Sequence, residues 1–266
     1  MREFNPNIEI ENIVNFIQKY FSENGTPETK AVIGISGGKD SSIAAALLVR
    51  ALGADRVIGV LMPNGYQTDP AIGDSREVVR LLGIKHYEIN IGPAMEALTA
   101  EMPDAIFGED NDVYYTNTPA RLRMATLYGV AGLVGGRVCN TGNASEFFIG
   151  YTTKYGDLAG DFALLRNYTV SDIYRIGDML KELPSHLVHK IPADGMSGKT
   201  DEDKTGIPYG VIDDFLMTGK HPTSMAIYEK MMAMHRRNEH KKAIHLPAPS
   251  RCSGYLHYSE GRLCEF

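Results

Sequence analysis

The fold is decided by the stretch Gly34-Ile35-Ser36-Gly37-Gly38-Lys39-Asp40-Ser41-Ser42. An apolar, β-branched run at 31–35 predicts a buried strand, and an alanine- and leucine-rich run at 43–52 predicts a helix that is stopped by Gly53. Glycines let backbone N–H groups approach an anion, and the start of a helix adds unpaired donors. We therefore expect this strand–turn–helix unit to bind a phosphate group.

The spacing of this stretch excludes two common nucleotide motifs. A Walker loop needs Ser or Thr directly after Gly38-Lys39, where this chain has Asp40, and the dinucleotide fingerprint G-x-G-x-x-G is absent. A helix terminus alone favours an anion by only about 0.3–1 kcal/mol, so tight binding requires the serine hydroxyls and a metal. Asp40 is the candidate ligand, because Mg²⁺ is usually held by one or two carboxylates together with substrate phosphates.

Composition limits the class of protein. The chain has 266 residues, of which 43% are hydrophobic, and this predicts one core and a single domain over 1–266. No apolar run approaches the roughly 20 residues of a membrane span, and no signal-peptide pattern is present. Three separated cysteines predict neither a disulfide framework nor a zinc site, so we expect a cytoplasmic protein. The net charge of −6 disfavours nucleic acid as a partner.

Strands alternate with helices along the first part of the chain. Further strands are predicted at 56–62, 85–91 and 137–140. The helices predicted between them cover 70–82, 93–102 and a long helix beginning at Thr118-Pro119. This alternation predicts an α/β fold with a doubly wound parallel sheet and helices on both faces. The polar turn at 141–146, which follows the fourth strand, is then expected at the same sheet edge as the glycine turn.

The remaining stretches predict helices and a lid. A first amphipathic helix is indicated by apolar residues at helical spacing between Ile10 and Phe21. Later helices are predicted from Ser171 to about Leu183, at 211–217 and at 224–237. The segment 191–206 is dense in Gly, Asp, Lys and Thr and is typical of a mobile lid.

The glycine stretch resembles the SGGxDS pyrophosphate loop of ATP pyrophosphatases, and the whole ordered set of motifs is similar to the ammonia-dependent NAD synthetases. The residues that carry this resemblance lie at 34–42, 117–124, 141–146, 150–161, 201–202 and 240–241. It implies an adenine-nucleotide α-hydrolase-like (Rossmann-like) fold and a homodimer. It also implies the conversion of nicotinic acid adenine dinucleotide (deamido-NAD), ATP and ammonia to NAD, AMP and pyrophosphate.

The same resemblance implies roles for individual residues. It places ATP on Gly34, Ile35, Ser36, Gly37, Gly38, Lys39, Asp40, Ser41, Gln67 and Thr141. It makes Asp40 and Glu146 the catalytic pair and the ligands of Mg²⁺. It places deamido-NAD on Arg121, Lys154, Asp161, His240 and Lys241. Without the resemblance, these side chains would be interpreted as ordinary solvated charges.

The chain departs from the family pattern at three positions. Leu61 and Val170 stand where many members carry a phosphate-facing cation, and Ala193 replaces an expected hydroxyl residue. The candidate replacements for the missing cations are Lys199, Lys204 and Arg166.

Alternatives to this interpretation stay open. Free ammonia is the expected nitrogen source, because no glutaminase or nitrilase-like domain fits in the remaining residues, but a separately encoded ammonia-supplying subunit is also compatible with the sequence. The same loop adenylates tRNA bases for thiolation and xanthylate for amination, although the paired cysteines and basic surface usual for thiolation are missing. A nucleotide sensor that binds ATP without turnover is the non-enzymatic alternative.

Overall fold

A computed structural model of the chain describes residues 4–65, 70–192 and 199–242, together with two strands at 256–259 and 262–265. The helices are α1 (Pro6–Glu23), α2 (Lys39–Leu52), α3 (Pro70–Leu82), α4 (Gly92–Ala100), α5 (Asp112–Val134), α6 (Ala144–Ile149), α7 (Val170–Gly177), α8 (Ser185–Val188), α9 (Asp201–Thr205), α10 (Tyr209–Thr218), α11 (Met225–Arg237) and α12 (Glu239–Lys242). The strands are β1 (Lys30–Gly34), β2 (Val57–Leu61), β3 (Lys85–Glu88), β4 (Gly136–Asn140), β5 (Phe162–Ala163), β6 (Leu256–Ser259) and β7 (Arg262–Glu265).

The first five strands form one parallel sheet in the order β3-β2-β1-β4-β5. Ile33 of β1 lies opposite Gly59 of β2 on one side and Cys139 of β4 on the other. The winding direction therefore reverses between β1 and β4, and a crevice at such a reversal is where doubly wound folds bind ligands. The doubly wound α/β fold predicted from the sequence is confirmed. Strands β6 and β7 pair separately and antiparallel.

Helices cover both faces of the sheet because neighbouring strand residues point in opposite directions. Ile33 belongs to a large core with buried residues of α1, α2, α3 and α7, whereas Val32 packs with Val130 and Ala131 of α5 on the opposite face. The glycine turn is thus supported by packed helices on both sides of its strand.

The start of α5 differs from the sequence prediction. The predicted start at Thr118-Pro119 was wrong, because the helix already begins at Asp112 and includes Pro119 in its interior. The Tyr115 N–H donates to the Asn111 carbonyl at 3.1 Å, which shows a formed turn ahead of the proline. A proline removes one hydrogen bond from a helix, and the 23-residue length of α5 leaves the others in place.

Two further boundaries differ. Helix α7 is capped by Thr169, whose side chain accepts from the Asp172 N–H, and not by Ser171; it ends at Gly177, earlier than predicted. Strand β5 was not predicted, because two residues are too few to show a period. Within the predicted lid, residues 193–198, including Ala193, lie outside the described residues, while α9 follows at Asp201–Thr205.

Helix α1 offers a test of the core. Ile17 is fully buried, whereas Ile8 on the same helix is 52% exposed. We expect Ile17→Ala to lower the free energy of unfolding by about 2–5 kcal/mol, because it leaves a cavity in the large core. The matched control Ile8→Ala should change it by less than about 0.5 kcal/mol. Urea denaturation of both variants checks this, and equal losses would contradict the assigned burial.

Candidate functional site

The glycine turn closes on itself through its serines. Gly37 has a positive φ of 72°, which permits the tight turn after β1. The hydroxyls of Ser36 and Ser41 lie 3.1 Å apart, and the hydroxyls of Ser41 and Ser42 donate to the Gly38 carbonyl at 3.1 and 2.8 Å. The turn therefore holds its own shape and presents a helix start for an anion.

Two of the residues predicted to bind ATP belong to the sheet instead of the turn. Gly34 ends β1, and the Ile35 N–H donates to the Val60 carbonyl at 2.9 Å. A side chain at position 34 would press against Met62 at 3.2 Å, so the glycine permits close packing there. These residues position the turn, whose part outside the strand lies at 36–41.

Lys39 and Asp40 form the charged centre of the turn. The Lys39 side chain is 1% exposed, and its Nζ lies 2.7 Å from Asp40 Oδ2. Burial opposes the lysine charge, but the carboxylates of Asp40 and Glu146 outweigh this effect and raise the pKa of Lys39 above its usual value. The lysine is therefore charged at neutral pH.

The second polar turn follows β4 and contains a helix that was not predicted. Thr141 is the first residue after the strand, and α6 begins at Ala144, so the expected turn at 141–146 is irregular only in its first half. Asn143 caps α6: its side chain accepts from the Glu146 N–H at 2.9 Å, and its N–H donates to Glu146 Oε2 at 3.2 Å. This capping box orients the Glu146 carboxylate.

Asn143 also joins the two turns. Its Nδ2 lies 3.5 Å from Asp40 Oδ1, and the asparagine is fully buried. Burial and the negative charge of Asp40 together raise the pKa of Glu146 to about 8. The structure thus brings Asp40 and Glu146 together around Lys39, as expected from their places at the switch point.

These groups fit a hard divalent cation. The negative charge of Asp40 raises the pKa of Glu146, which shows that the site favours added positive charge, and Mg²⁺ is commonly held by one or two carboxylates together with phosphate oxygens. The residues that would hold it are Asp40 and Glu146.

Four of the five residues expected to bind deamido-NAD meet in a second cluster. The Lys154 ammonium group donates to the His240 carbonyl at 2.8 Å, and Arg121 Nε donates to the Lys154 carbonyl at 3.3 Å. Lys241 donates to the carbonyls of Gly150 and Thr152 at 3.0 and 2.9 Å. Residues far apart in the sequence thereby form one positively charged group.

Comparisons with known proteins identify the family of this chain. A family model described as NAD synthase matches residues 9–245. The NH(3)-dependent NAD(+) synthetase of Thermococcus kodakarensis is 34% identical over 92% of this chain and 98% of its own length. The chain belongs to the NAD synthase family. A second NH(3)-dependent NAD(+) synthetase, from Pyrococcus furiosus, is 32% identical over 89% of this chain and 94% of its own.

Solved structures agree with the family fold. The structure of NMN synthetase from Francisella tularensis matches with a TM-score of 0.83 and 34% identity, over 92% of this chain and 99% of that one. The NH3-dependent NAD synthetase from Campylobacter jejuni matches with a TM-score of 0.74 and 25% identity, over 92% and 100%. The family, the fold, the ligase class and the amidation reaction inferred from the sequence are confirmed.

Asp161 lies apart from the other residues expected to bind the acid in this NAD synthase. Its Oδ2 accepts from the Val138 N–H at 2.7 Å, and the Tyr128 hydroxyl lies 3.4 Å from its Oδ1. It lines a groove of about 410 Å³ along α5 and the start of β4, together with Gly132 and Arg137. Gln67 lies outside the described residues, so its expected place near ATP stays a prediction.

Burial explains why Leu61 and Val170 stand where many family members carry a cation. Leu61 is fully buried in the large core, and Val170 is 4% exposed in a separate core beneath α10 and α11. Among the candidate replacements, Arg166 stacks on the Phe147 ring at 4.1 Å, with its Nε unsatisfied, and the Lys204 charge acts on Asp201. The positive charge of Lys199 acts on Asp203, which is not one of the residues expected to bind a substrate.

Asp157 was not singled out by the sequence. Its carboxylate accepts from the Thr153 N–H, and its own carbonyl accepts from Asn140 at 2.7 Å. Burial raises the pKa of Asp157 to about 6, and its charge acts on both Glu146 and Lys241. It therefore lies between the two clusters. Its place within the matched stretch 150–161 was the available signal.

Asp213 of α10 was also missed. It is 2% exposed and accepts hydrogen bonds from the hydroxyls of Ser145 and Ser171, each at 2.5 Å, and from the Ser171 N–H at 2.8 Å. One buried carboxylate thus ties α10 to α6 and to the start of α7. Ser145 precedes Glu146, so this network supports the start of α6, where Glu146 lies.

The raised pKa of Glu146 predicts how stability depends on pH. Because the folded protein holds the Glu146 proton up to about pH 8 and the unfolded chain releases it near pH 4.5, stability should fall as pH rises between these values in metal-free buffer. We expect Glu146→Gln, which preserves the cap, to flatten this slope, as measured by thermal unfolding from pH 5 to 8. Glu101→Gln, at an exposed position, is the control. A slope unchanged in Glu146→Gln would contradict the assignment.

Proposed function

We propose that this NAD synthase uses Asp40 and Glu146 to adenylate the carboxylate of deamido-NAD with ATP. Free ammonia then displaces AMP from the acyl-adenylate, and pyrophosphate is the other product. The observation that carries the proposal is the convergence of both carboxylates on Asn143 and Lys39 at the carboxyl ends of β1 and β4. A carboxylate is a poor acyl donor, and adenylation makes its oxygen a good leaving group.

The glycine turn and the carboxylate pair divide the work on ATP. The backbone and hydroxyl groups at 36–41, with Thr141 beside them, bind the phosphates and orient the α-phosphorus towards the acid. Asp40 and Glu146 hold Mg²⁺, which supplies charge neutralisation on the departing pyrophosphate when it is bound. The pKa values of Glu146 and Lys39 are both raised by negative charge at this site, which supports that assignment.

The second cluster binds the acid. Arg121, Lys154 and Lys241 supply the positive charge for its phosphates and carboxylate, His240 lies beside them, and Asp161 contacts a more distant part of the dinucleotide. We place Gln67 beside ATP on the family resemblance alone.

Asp157 is suited to accept a proton from ammonium before nitrogen attacks the acyl carbon. A base with a pKa of about 6 is mostly ionised at neutral pH and still lies close enough to the working pH to accept a proton. We place Asp157 between the two substrates, because its charge acts both on Lys241 of the second cluster and on Glu146.

One observation favours a second acid substrate. The NMN synthetase structure from Francisella tularensis matches this chain with a TM-score of 0.83 and 34% identity. Forming NMN by the same chemistry would amidate the mononucleotide of nicotinic acid. The second candidate function is therefore amidation of this smaller acid.

The wider biological setting is also a proposal. We infer one domain over 1–266, since the family model spans 9–245. We place the protein in the cytoplasm, where ATP is available and a free buried thiol such as Cys139 is typical. In the described part of the chain, no helix is both long and apolar enough to cross a membrane. Small molecules, not nucleic acids, are the expected partners.

We propose a homodimer through α5. In the second half of this helix, the exposed residues are small or apolar at helical spacing, which would let a second copy of the helix approach closely. They are Ala125, Tyr128, Gly129, Gly132 and Leu133. Leu133 is 88% exposed, an unusual cost for a residue of its size without a covering surface.

The function is tested by a coupled assay with ATP, Mg²⁺, ammonium and each of the two acids in turn. We expect pyrophosphate and amidated product to appear together, with a higher kcat/KM for deamido-NAD. A higher value for the mononucleotide would establish the second candidate. Pyrophosphate without amide would move the acceptor elsewhere, and neither product would contradict both candidates.

Asp40→Asn tests the catalytic pair. We expect turnover to fall at least about a hundredfold, because a ligand is lost where charge develops on pyrophosphate, while the unfolding temperature stays near that of the wild type. Asp55→Asn is the control, since Asp55 is exposed and precedes β2, at the sheet edge opposite the turn. Similar activity in the two variants would contradict the assignment.

Leu133→Glu tests the dimer. A charge at this exposed position should repel a second copy and yield a monomer in sedimentation velocity, while the monomer keeps its fold by circular dichroism. A dimer that persists in this variant would exclude α5 as the interface.

A further inference from the structure

Lys39 breaks two local rules at once. A lysine is almost never fully buried unless it is paired, yet Lys39 is 2% exposed. It is also the first residue of α2, where the positive end of the helix dipole disfavours a cation. A helix start alone has no need of this residue. Local conflicts of this kind are expected at functional positions, where another requirement outweighs them.

The surroundings of Lys39 show what that requirement is. Its Nζ lies 2.7 Å from Asp40 Oδ2 and 5.7 Å from the centre of the Tyr174 ring, and the Glu146 charge acts on it as well. The ammonium group therefore lies beneath the carboxylate pair, held between α2 and α7. It has no need to move for a ligand to reach the turn from the sheet edge.

Lys39 changes the net charge of the carboxylate pair. Asp40 and Glu146 together carry two negative charges when both are ionised, and Lys39 returns one positive charge. The pair alone would attract a free divalent cation strongly, whereas the pair with Lys39 offers a net charge of only −1. The phosphates of ATP add the negative charge that completes a cation site.

We propose that Lys39 is a positioning residue that keeps Asp40 and Glu146 assembled in the empty site and makes that site select a metal ion carried by ATP over a free metal ion. This inference rests on the proposed metal role of the two carboxylates. It adds an order of events: metal binds together with nucleotide, because Lys39 weakens the attraction of the site for a free divalent cation and the ATP phosphates supply further negative ligands.

Mn²⁺ titration followed by electron paramagnetic resonance tests this order on the full chain. For the wild type we expect Mn²⁺ to bind at least about tenfold more tightly with α,β-methylene-ATP present than without it. In Lys39→Met, which keeps an unbranched apolar stem, affinity for Mn²⁺ without nucleotide should rise at least about tenfold, because a positive charge within a few ångströms is gone.

Lys19→Met is the matched control, because it removes the lysine of the exposed Lys19–Glu23 pair on α1 and should leave Mn²⁺ affinity unchanged. Lys39→Gln provides the same test if the methionine variant does not fold. Tight binding of Mn²⁺ to the wild type without nucleotide, or an unchanged affinity in a folded Lys39 variant, would overturn the proposal.

Asp40→Asn separates this proposal from the proposed function. If Asp40→Asn abolishes nucleotide-dependent Mn²⁺ binding while the Lys39 variants match the wild type, the metal site stands and the role of Lys39 is wrong. If Asp40→Asn binds Mn²⁺ as the wild type does in the presence of the nucleotide, the metal assignment itself fails, and the role of Lys39 fails with it.

Discussion

The parallel pairing of β1 with β4 is the constraint on which the site depends. Ile33 lies opposite Cys139, so β1 and β4 end side by side. The turns that follow the two strands therefore meet. Buried Asn143 then makes the meeting specific, because it caps α6 and reaches Asp40 with the same side chain. A one-residue slip of this register would turn Ile33 from one core to the other and carry the glycine turn away from Glu146.

Much of this arrangement could be predicted from the sequence, because it follows from local rules. Alternating strands and helices imply a parallel sheet, and a glycine turn between a strand and a helix implies an anion site. The approach failed where local signals compete. Pro119 is a strong start signal, yet the packing of α5 carries the helix through it. At other positions the sequence cannot show the contacts: Asp161 lies in a matched stretch, and only the structure shows that it contacts Val138 and Tyr128.

Other parts depend on distant contacts that no local pattern contains. Asp213 is one of three acidic residues in α10 and α11, and only the fold shows that it accepts hydrogen bonds from Ser145 and Ser171. Burial of Leu61 and Val170 explains why neither position carries a cation here: each belongs to a hydrophobic core. Charge near the phosphates has to come from other elements, and Lys39, within the turn, is the most deeply buried cation of the described site.

The contact between Lys154 and the His240 carbonyl spans 86 residues of sequence. Once residue 140 has been synthesised, the glycine turn and β4 are complete in sequence. The contact between Lys154 and His240 requires synthesis as far as residue 240. During synthesis, domains assemble from the N-terminus at about 5–20 residues per second. A nascent chain would thus acquire the residues of its glycine turn several seconds before those of its second cluster. Because Lys241 also donates to the Gly150 and Thr152 carbonyls, a chain stalled on the ribosome before codon 240 would carry the glycine turn without the contacts that close this cluster.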